Sequence, residues 1–85
     1  MVIQAVEMDN DFVLQGKAMK IILTDISREG VGLAIPQPLQ HDLLCIKFPI
    51  TSGSSIQAIV RATRQRELSP PFSEIGCEYV TRLGN

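Results

Sequence analysis

Apolar residues recur at every second position through most of this chain, and that period restricts it to strands. Ile56, Ala58, Val60 and Ala62 share one face of an extended run, with Gln57 and Arg61 on the other. Ile75, Cys77 and Tyr79 alternate in the same way with Glu74, Gly76 and Glu78. Met19, Ile21 and Leu23 are interleaved with Lys20 and Thr24, although Ile22 blurs that pattern. Leu44, Ile46 and Phe48 make a fourth set around Cys45 and Lys47. Residues 2–8 and 31–35 are β-compatible and complete about six short strands. Successive side chains of a strand leave on opposite faces, so each run has one face to bury.

Turn chemistry separates the runs: Asp9-Asn10-Asp11, Gln15-Gly16-Lys17, Pro36-Gln37-Pro38, Thr51-Ser52-Gly53-Ser54 and Ser69-Pro70-Pro71. No stretch carries convincing helical spacing. Short strands at regular intervals indicate an all-β antiparallel sandwich or a small barrel, and closure is preferred because a small open sheet exposes its edges. The 85 residues suffice for one domain, 1–85, with a thin core.

Composition narrows the function classes. A formal net charge of −1 is far from the lysine and arginine excess that releases counterions from a nucleic-acid backbone, so no nucleic-acid partner is expected. The few aromatic residues do not supply the base-stacking strands of an oligonucleotide-binding barrel. No apolar run is long enough to span a bilayer as a helix and none follows a basic N-terminus as a signal peptide does, so no membrane insertion and a cytoplasmic location are expected. Cys45 and Cys77 fall at apolar strand positions and are expected as buried free thiols, a disulfide being the alternative. His41 is the single histidine and the cysteines form no close pair, so no metal site is expected. No nucleophile–base pair, paired carboxylates or phosphate-cradling loop is evident, and His41 beside Asp42 reads as a loop residue. The chain is not expected to be an enzyme, and no cofactor is expected.

The segment most suggestive of chemistry joins the second and third runs: Asp25-Ile26-Ser27-Arg28-Glu29-Gly30. A carboxylate accepts two donor hydrogens and a hydroxyl two residues on donates to an anion, which makes half a site for guanine or phosphate. Gly30 reads as a backbone-permissive residue, and Arg28 as either a solvated loop side chain or a phosphate or purine contact. Asp25 and Ser27 also have a purely local reading, capping backbone N–H groups of the turn.

Asp25, Ser27 and Gly30 reproduce the Asp/Asn-x-Ser-x-x-Gly signature of the PilZ domain. Gly32-Leu33, the Pro-rich turn, the run around 44–48 and the closing Ile75-Gly76-Cys77-Glu78-Tyr79 are similar in layout too, so the resemblance covers roughly residues 15–82. It implies a six-stranded antiparallel β-barrel that serves as a regulatory receptor for cyclic di-GMP, with Asp25, Ser27, Arg28 and Gly30 as ligand-binding residues and with the signal passed to a protein partner or neighbouring domain.

The family's second binding element, an Arg-x-x-x-Arg arm ahead of the first strand, has no counterpart. Counted back from Asp25, its place falls at or before Met1, and no arginine precedes Arg28. Either the chain is the barrel portion of a longer protein, the preferred reading since it opens in mid-strand, or it is a degenerate interaction module that binds no nucleotide. Guanidinium groups pair with guanine O6 and N7, with phosphate and with purine faces in ways that lysine does not. Loss of two charge-assisted contacts, about 1.5–3 kcal/mol each, implies weak or absent binding by this chain alone. Glu7, Asp9 and Asp11 would repel phosphates lying near them. Arg61, Arg64 and Arg66 form a basic strip in which strict alternation places Arg61 outside and sends Arg64 to the barrel rim. The strip reads as a solvated, edge-protecting face, with a phosphate- or partner-contacting surface as the alternative. Phe72 is expected to fold onto the barrel, an exposed partner anchor being the alternative.

Overall fold

The computed structural model describes residues 1–49 and 53–82. It contains six strands: β1 (Val2–Met8), β2 (Leu14–Ile26), β3 (Gly30–Ile35), β4 (Leu43–Pro49), β5 (Ser55–Glu67) and β6 (Ser73–Arg82). All pairings are antiparallel and the sheet closes into a barrel in the order β1-β2-β3-β6-β5-β4. The ring consists of two three-stranded meanders, β1-β2-β3 and β4-β5-β6. They meet along two seams, β3 against β6 and β1 against β4.

Alternation accounts for the core. Ile3 and Ala5 of β1, Ile21 of β2, Val31, Leu33 and Ile35 of β3, Leu44 and Ile46 of β4, Ala58 and Val60 of β5, and Ile75 and Cys77 of β6 fill the barrel as one buried cluster. Met19, Leu23, Phe48 and Tyr79 are partly buried against it. Among the described residues no helix is long and apolar enough to cross a membrane.

Two strands exceed their sequence-based length, because bulges carry the chain through places where alternation stops. Gln15-Gly16-Lys17, expected as a turn, lies inside β2, where Gly16 takes φ +80°. Opposite it the β1 register steps from Ala5↔Met19 to Glu7↔Gln15, so β2 carries extra residues there. The turn chemistry is absorbed into the ladder as a bulge. Beyond Ala62, β5 continues to Glu67 through a second bulge at Thr63. Thr51 and Ser52 of the expected β4–β5 turn lie outside the described residues; Gly53 follows with φ +77°.

Other turns follow their side-chain chemistry. The Asp9 carboxylate accepts hydrogen bonds from the N–H of Asp11 (2.8 Å) and Val13 (3.1 Å) and from the Gln15 amide (2.8 Å). The Val13 N–H, first among these, holds its pKa below the ordinary carboxylate value. Glu7 Oε1 accepts from the N–H of Gln40 (2.8 Å) and of His41 (2.7 Å) and lies 3.2 Å from His41 Nδ1. It therefore ties the β3–β4 connection to β1. Phe72 corrects its expectation: it stays 41% exposed at the tip of the β5–β6 hairpin, at the same barrel end as exposed Phe12.

Candidate functional site

An open groove of about 930 Å³ runs along the outer wall of the barrel over β2, β3, β6 and β5. It lies across the β3–β6 seam, and three of the four residues singled out from the sequence line it. Asp25 stands at its β2 side, paired in register with Gly32, while Ser27 and Gly30 lie at the β2–β3 turn. Arg28 sits exposed at the tip of that turn and is not part of the lining.

The turn realises the local role of Ser27. Its Oγ accepts from the N–H groups of Glu29 and Gly30, both at 3.3 Å, and its N–H donates to Gly30 O at 2.9 Å. The hydroxyl proton is shared between Glu29 Oε2 at 3.2 Å and Gly30 O at 3.4 Å. Ser27 thus shapes the turn. Asp25 does not cap it, and its exposed carboxylate faces the groove.

Gly30 is glycine for a reason other than the expected conformational freedom, since its φ lies outside the left-handed region. A Cβ at this position would meet the Cys77 carbonyl oxygen at 1.8 Å and the Cys77 carbon at 2.9 Å. The β6 backbone occupies the side-chain space, so the signature glycine serves the barrel seam.

The bulge at Thr63 determines what the opposite wall contributes. Ala62 pairs with Cys77, but Arg64 pairs with Gly76, so the extra residue reverses the alternation and turns Arg64 and Arg66 outward. Arg64 does not go to the rim, as strict alternation requires, but into the groove. Arg66 Nη2 pairs with Glu74 Oε1 at 2.7 Å, and Thr24 Oγ1 donates to Glu74 Oε2 at 3.2 Å, forming a polar rail across one end. Arg61 points outward as expected and pairs with Asp42 at 3.0 Å.

The lining holds four carboxylates (Asp25, Glu29, Glu74 and Glu78) against two guanidinium groups, a net charge of −2. Glu7, Asp9 and Asp11 are absent from it, so the acidic first hairpin is not the source of repulsion. Among the described residues no group of three or more His, Cys, Asp or Glu side chains is placed to hold a metal ion.

Sequence reasoning named Gly32 and Gly76 without assigning them to the site, and gave Arg64 a phosphate or partner contact only as the alternative to a solvated face. The signal for the glycines was present, because a glycine inside a strand marks a bulge or a close approach. The bulge that brings Arg64 round had no comparable sign.

The two thiols are free but not equivalent. Cys77 is buried in the core, whereas Cys45 points away from the Leu44–Ile46 face and is only half-buried, against expectation. Burial pushes the Cys77 thiol up to about 12. Since the thiol in the unfolded chain titrates near 9.0, its contribution to stability is complete below that pH and is lost as pH rises towards 12. Desolvation raises the half-buried Cys45 thiol as well, so urea titrations from about pH 8 to 11 are expected to show an alkaline loss of stability that Cys77→Val reduces most and Cys45→Val reduces less. An identical alkaline slope in Cys77→Val would remove this assignment.

No family model, curated protein or solved structure matches this chain.

Proposed function

We propose that this chain is a regulatory PilZ-type module for cyclic di-GMP that transmits the signal to a protein partner or neighbouring domain, and that by itself it binds the messenger weakly or not at all. The observation that carries the reading is the convergence of Asp25, the Ser27 turn and Arg64 on one groove of a closed barrel. Asp25 supplies an acceptor for the guanine N1 and N2 donors, and Arg64 a donor for guanine O6 and N7 or for phosphate. The groove's charge of −2 opposes a ligand with two phosphates, so tight binding requires further cations. The role is binding rather than catalysis.

Calorimetric titration of the chain is expected to give no affinity tighter than about 10 μM. Fusing an Arg-x-x-x-Arg segment ahead of Val2 is expected to gain about tenfold or more, and Asp25→Ala to reverse that gain. Submicromolar binding by the unextended chain would refute the need for further cations. A fused arm that gains nothing would count against the messenger reading.

The acidic groove also favours a second reading, a PilZ-like protein-interaction module that binds no nucleotide. Capture of the same partner with and without cyclic di-GMP supports it; capture only with the messenger opposes it.

A further inference from the structure

The three lysines of the chain stand on one wall, away from the groove. Lys20 of β2 pairs with Gln4 of β1, Gln4 with Lys47 of β4, and Lys47 with Gln57 of β5, so one cross-strand row reads Lys20–Gln4–Lys47–Gln57. All four are exposed, and alternation turns them outward, since Ile21 and Ile46 beside the lysines lie in the core. Lys17 is exposed in the β2 bulge, where residues 16–18 oppose Val6 alone.

No carboxylate shares this wall. The outward positions of β1, of β4 and of β2 as far as Ile22 carry none. Glu7, the one acid of β1, pairs with inward Leu44 and is bonded to the β3–β4 connection. Arg61 is held by Asp42 and Arg66 by Glu74, whereas none of the three lysines forms an ion pair among the described residues. The rest of the chain holds five arginines against nine carboxylates, so the barrel is electrically polarised. Protection of an open edge would suit Lys17 and Lys20, because β2 runs past the end of β3. It does not account for Lys47, which is paired on both sides inside a closed ring.

The lysine row lies between two apolar ones. On one flank Val2 pairs with Ile22, the two being 59% and 43% exposed. On the other, Cys45 pairs with Val6 and with Ile59, and all three are half-buried.

We infer that this wall docks an acidic amphipathic helix of a protein partner, an assignment that goes beyond the messenger reading and does not depend on it. Lys20 and Lys47 are two strand spacings apart, roughly 10 Å between backbones. Glutamates at i and i+7 of a helix stand about 10.5 Å apart along its axis, which matches. Positions i+3 and i+4 of that helix fall on either side of the line joining the glutamates. Leucines there meet Val2 and Ile22 on one flank and Val6, Cys45 and Ile59 on the other. A bilayer is a poorer match, because the outward positions of these strands carry no aromatic residue and Val2 and Ile22 are short side chains on a barrel wall.

The test is an NMR titration of the intact chain, without cyclic di-GMP, with a helical peptide built on Glu-Gln-Ala-Leu-Leu-Ala-Gln repeats. The amides of Val2, Gln4, Lys20 and Lys47 are expected to shift, with a Kd on the order of 100 μM. Lys20→Glu combined with Lys47→Glu is expected to weaken binding at least about tenfold, and a peptide with lysine in place of glutamate to recover it. That recovery also shows the variant folded; should the double reversal not fold, Lys47→Gln alone, expected to lose about threefold, decides. No shift on the wall, undiminished affinity in the lysine variants, or equal binding of both peptides by the parent chain overturns the inference. Binding to phosphatidylserine vesicles but not to the peptide overturns it in favour of a lipid surface. Lysine-dependent self-association without peptide binding overturns it in favour of the acidic groove of a second copy. With cyclic di-GMP absent, failure of the messenger reading leaves this result untouched.

Discussion

Gly30→Ala is expected to destabilise the barrel by about 3 kcal/mol or more, lowering Tm by roughly 10–20 °C or preventing folding. The added methyl would lie 1.8 Å from the Cys77 oxygen and 3.1 Å from Glu78 Cα, and every close atom belongs to backbone. A flexible side chain could swing away; a paired strand has to separate. Gly30 pairs with Glu78 and Val31 with Cys77, so relief means opening the β3–β6 seam at its first rungs. Gly16→Ala is the informative comparison, since its Cβ meets nothing within 4 Å and only the backbone angle, φ +80°, opposes it. That substitution is expected to cost about 1–2 kcal/mol. Thermal melts of the two variants check the order; a Gly30→Ala protein melting within a few degrees of the parent would show that the seam yields easily. Loss of ligand binding in a Gly30 variant consequently reports on folding first, which makes Asp25 the better probe of the groove.

Leu33→Ala is expected to cost about 3–4 kcal/mol by cavity formation. Leu33 is 0% exposed and sits in register between Leu23 and Ile75, at the middle of the buried cluster. In a domain whose total stability is of order 5–10 kcal/mol, that removes much of the margin. Ile22→Ala, one residue from Leu23 on β2 but 43% exposed on the outer face, is expected to change stability by less than about 1 kcal/mol. Urea denaturation with an unchanged m-value measures both. Similar losses at Leu33 and Ile22 would contradict the inward and outward assignment of the two strands.

The fold was legible because nearly every core residue obeys a period of two. Ala58 to Ala62, Ile75 to Tyr79 and Leu44 to Phe48 each declare a buried face without reference to any other strand, whereas Ile56, which shares the first pattern, stays 46% exposed. What local pattern could not declare is where one strand gains a residue on its partner. Thr63 looks like any polar strand residue, yet the bulge there reverses Arg64 and Arg66. Gly16 has the composition of a turn and lies within β2, because the two extra residues are accommodated against β1 rather than by ending the strand. Cys45 reads as apolar, but its neighbours Leu44 and Ile46 had already claimed the inner face. The site divides along the same line. Asp25, Ser27 and Gly30 are adjacent in sequence and were visible together, whereas Gly32, Gly76 and Arg64 join them only through cross-strand register.

The position of the groove over the line where the two meanders meet has a thermodynamic consequence. Asp25 and the Ser27 turn come from the first half of the chain, Arg64 and Glu74 from the second. A molecule gripping both is a clasp on the ring, and by mass action it raises resistance to unfolding in proportion to the logarithm of its concentration over Kd. Occupancy is thus coupled to the integrity of a joint between halves.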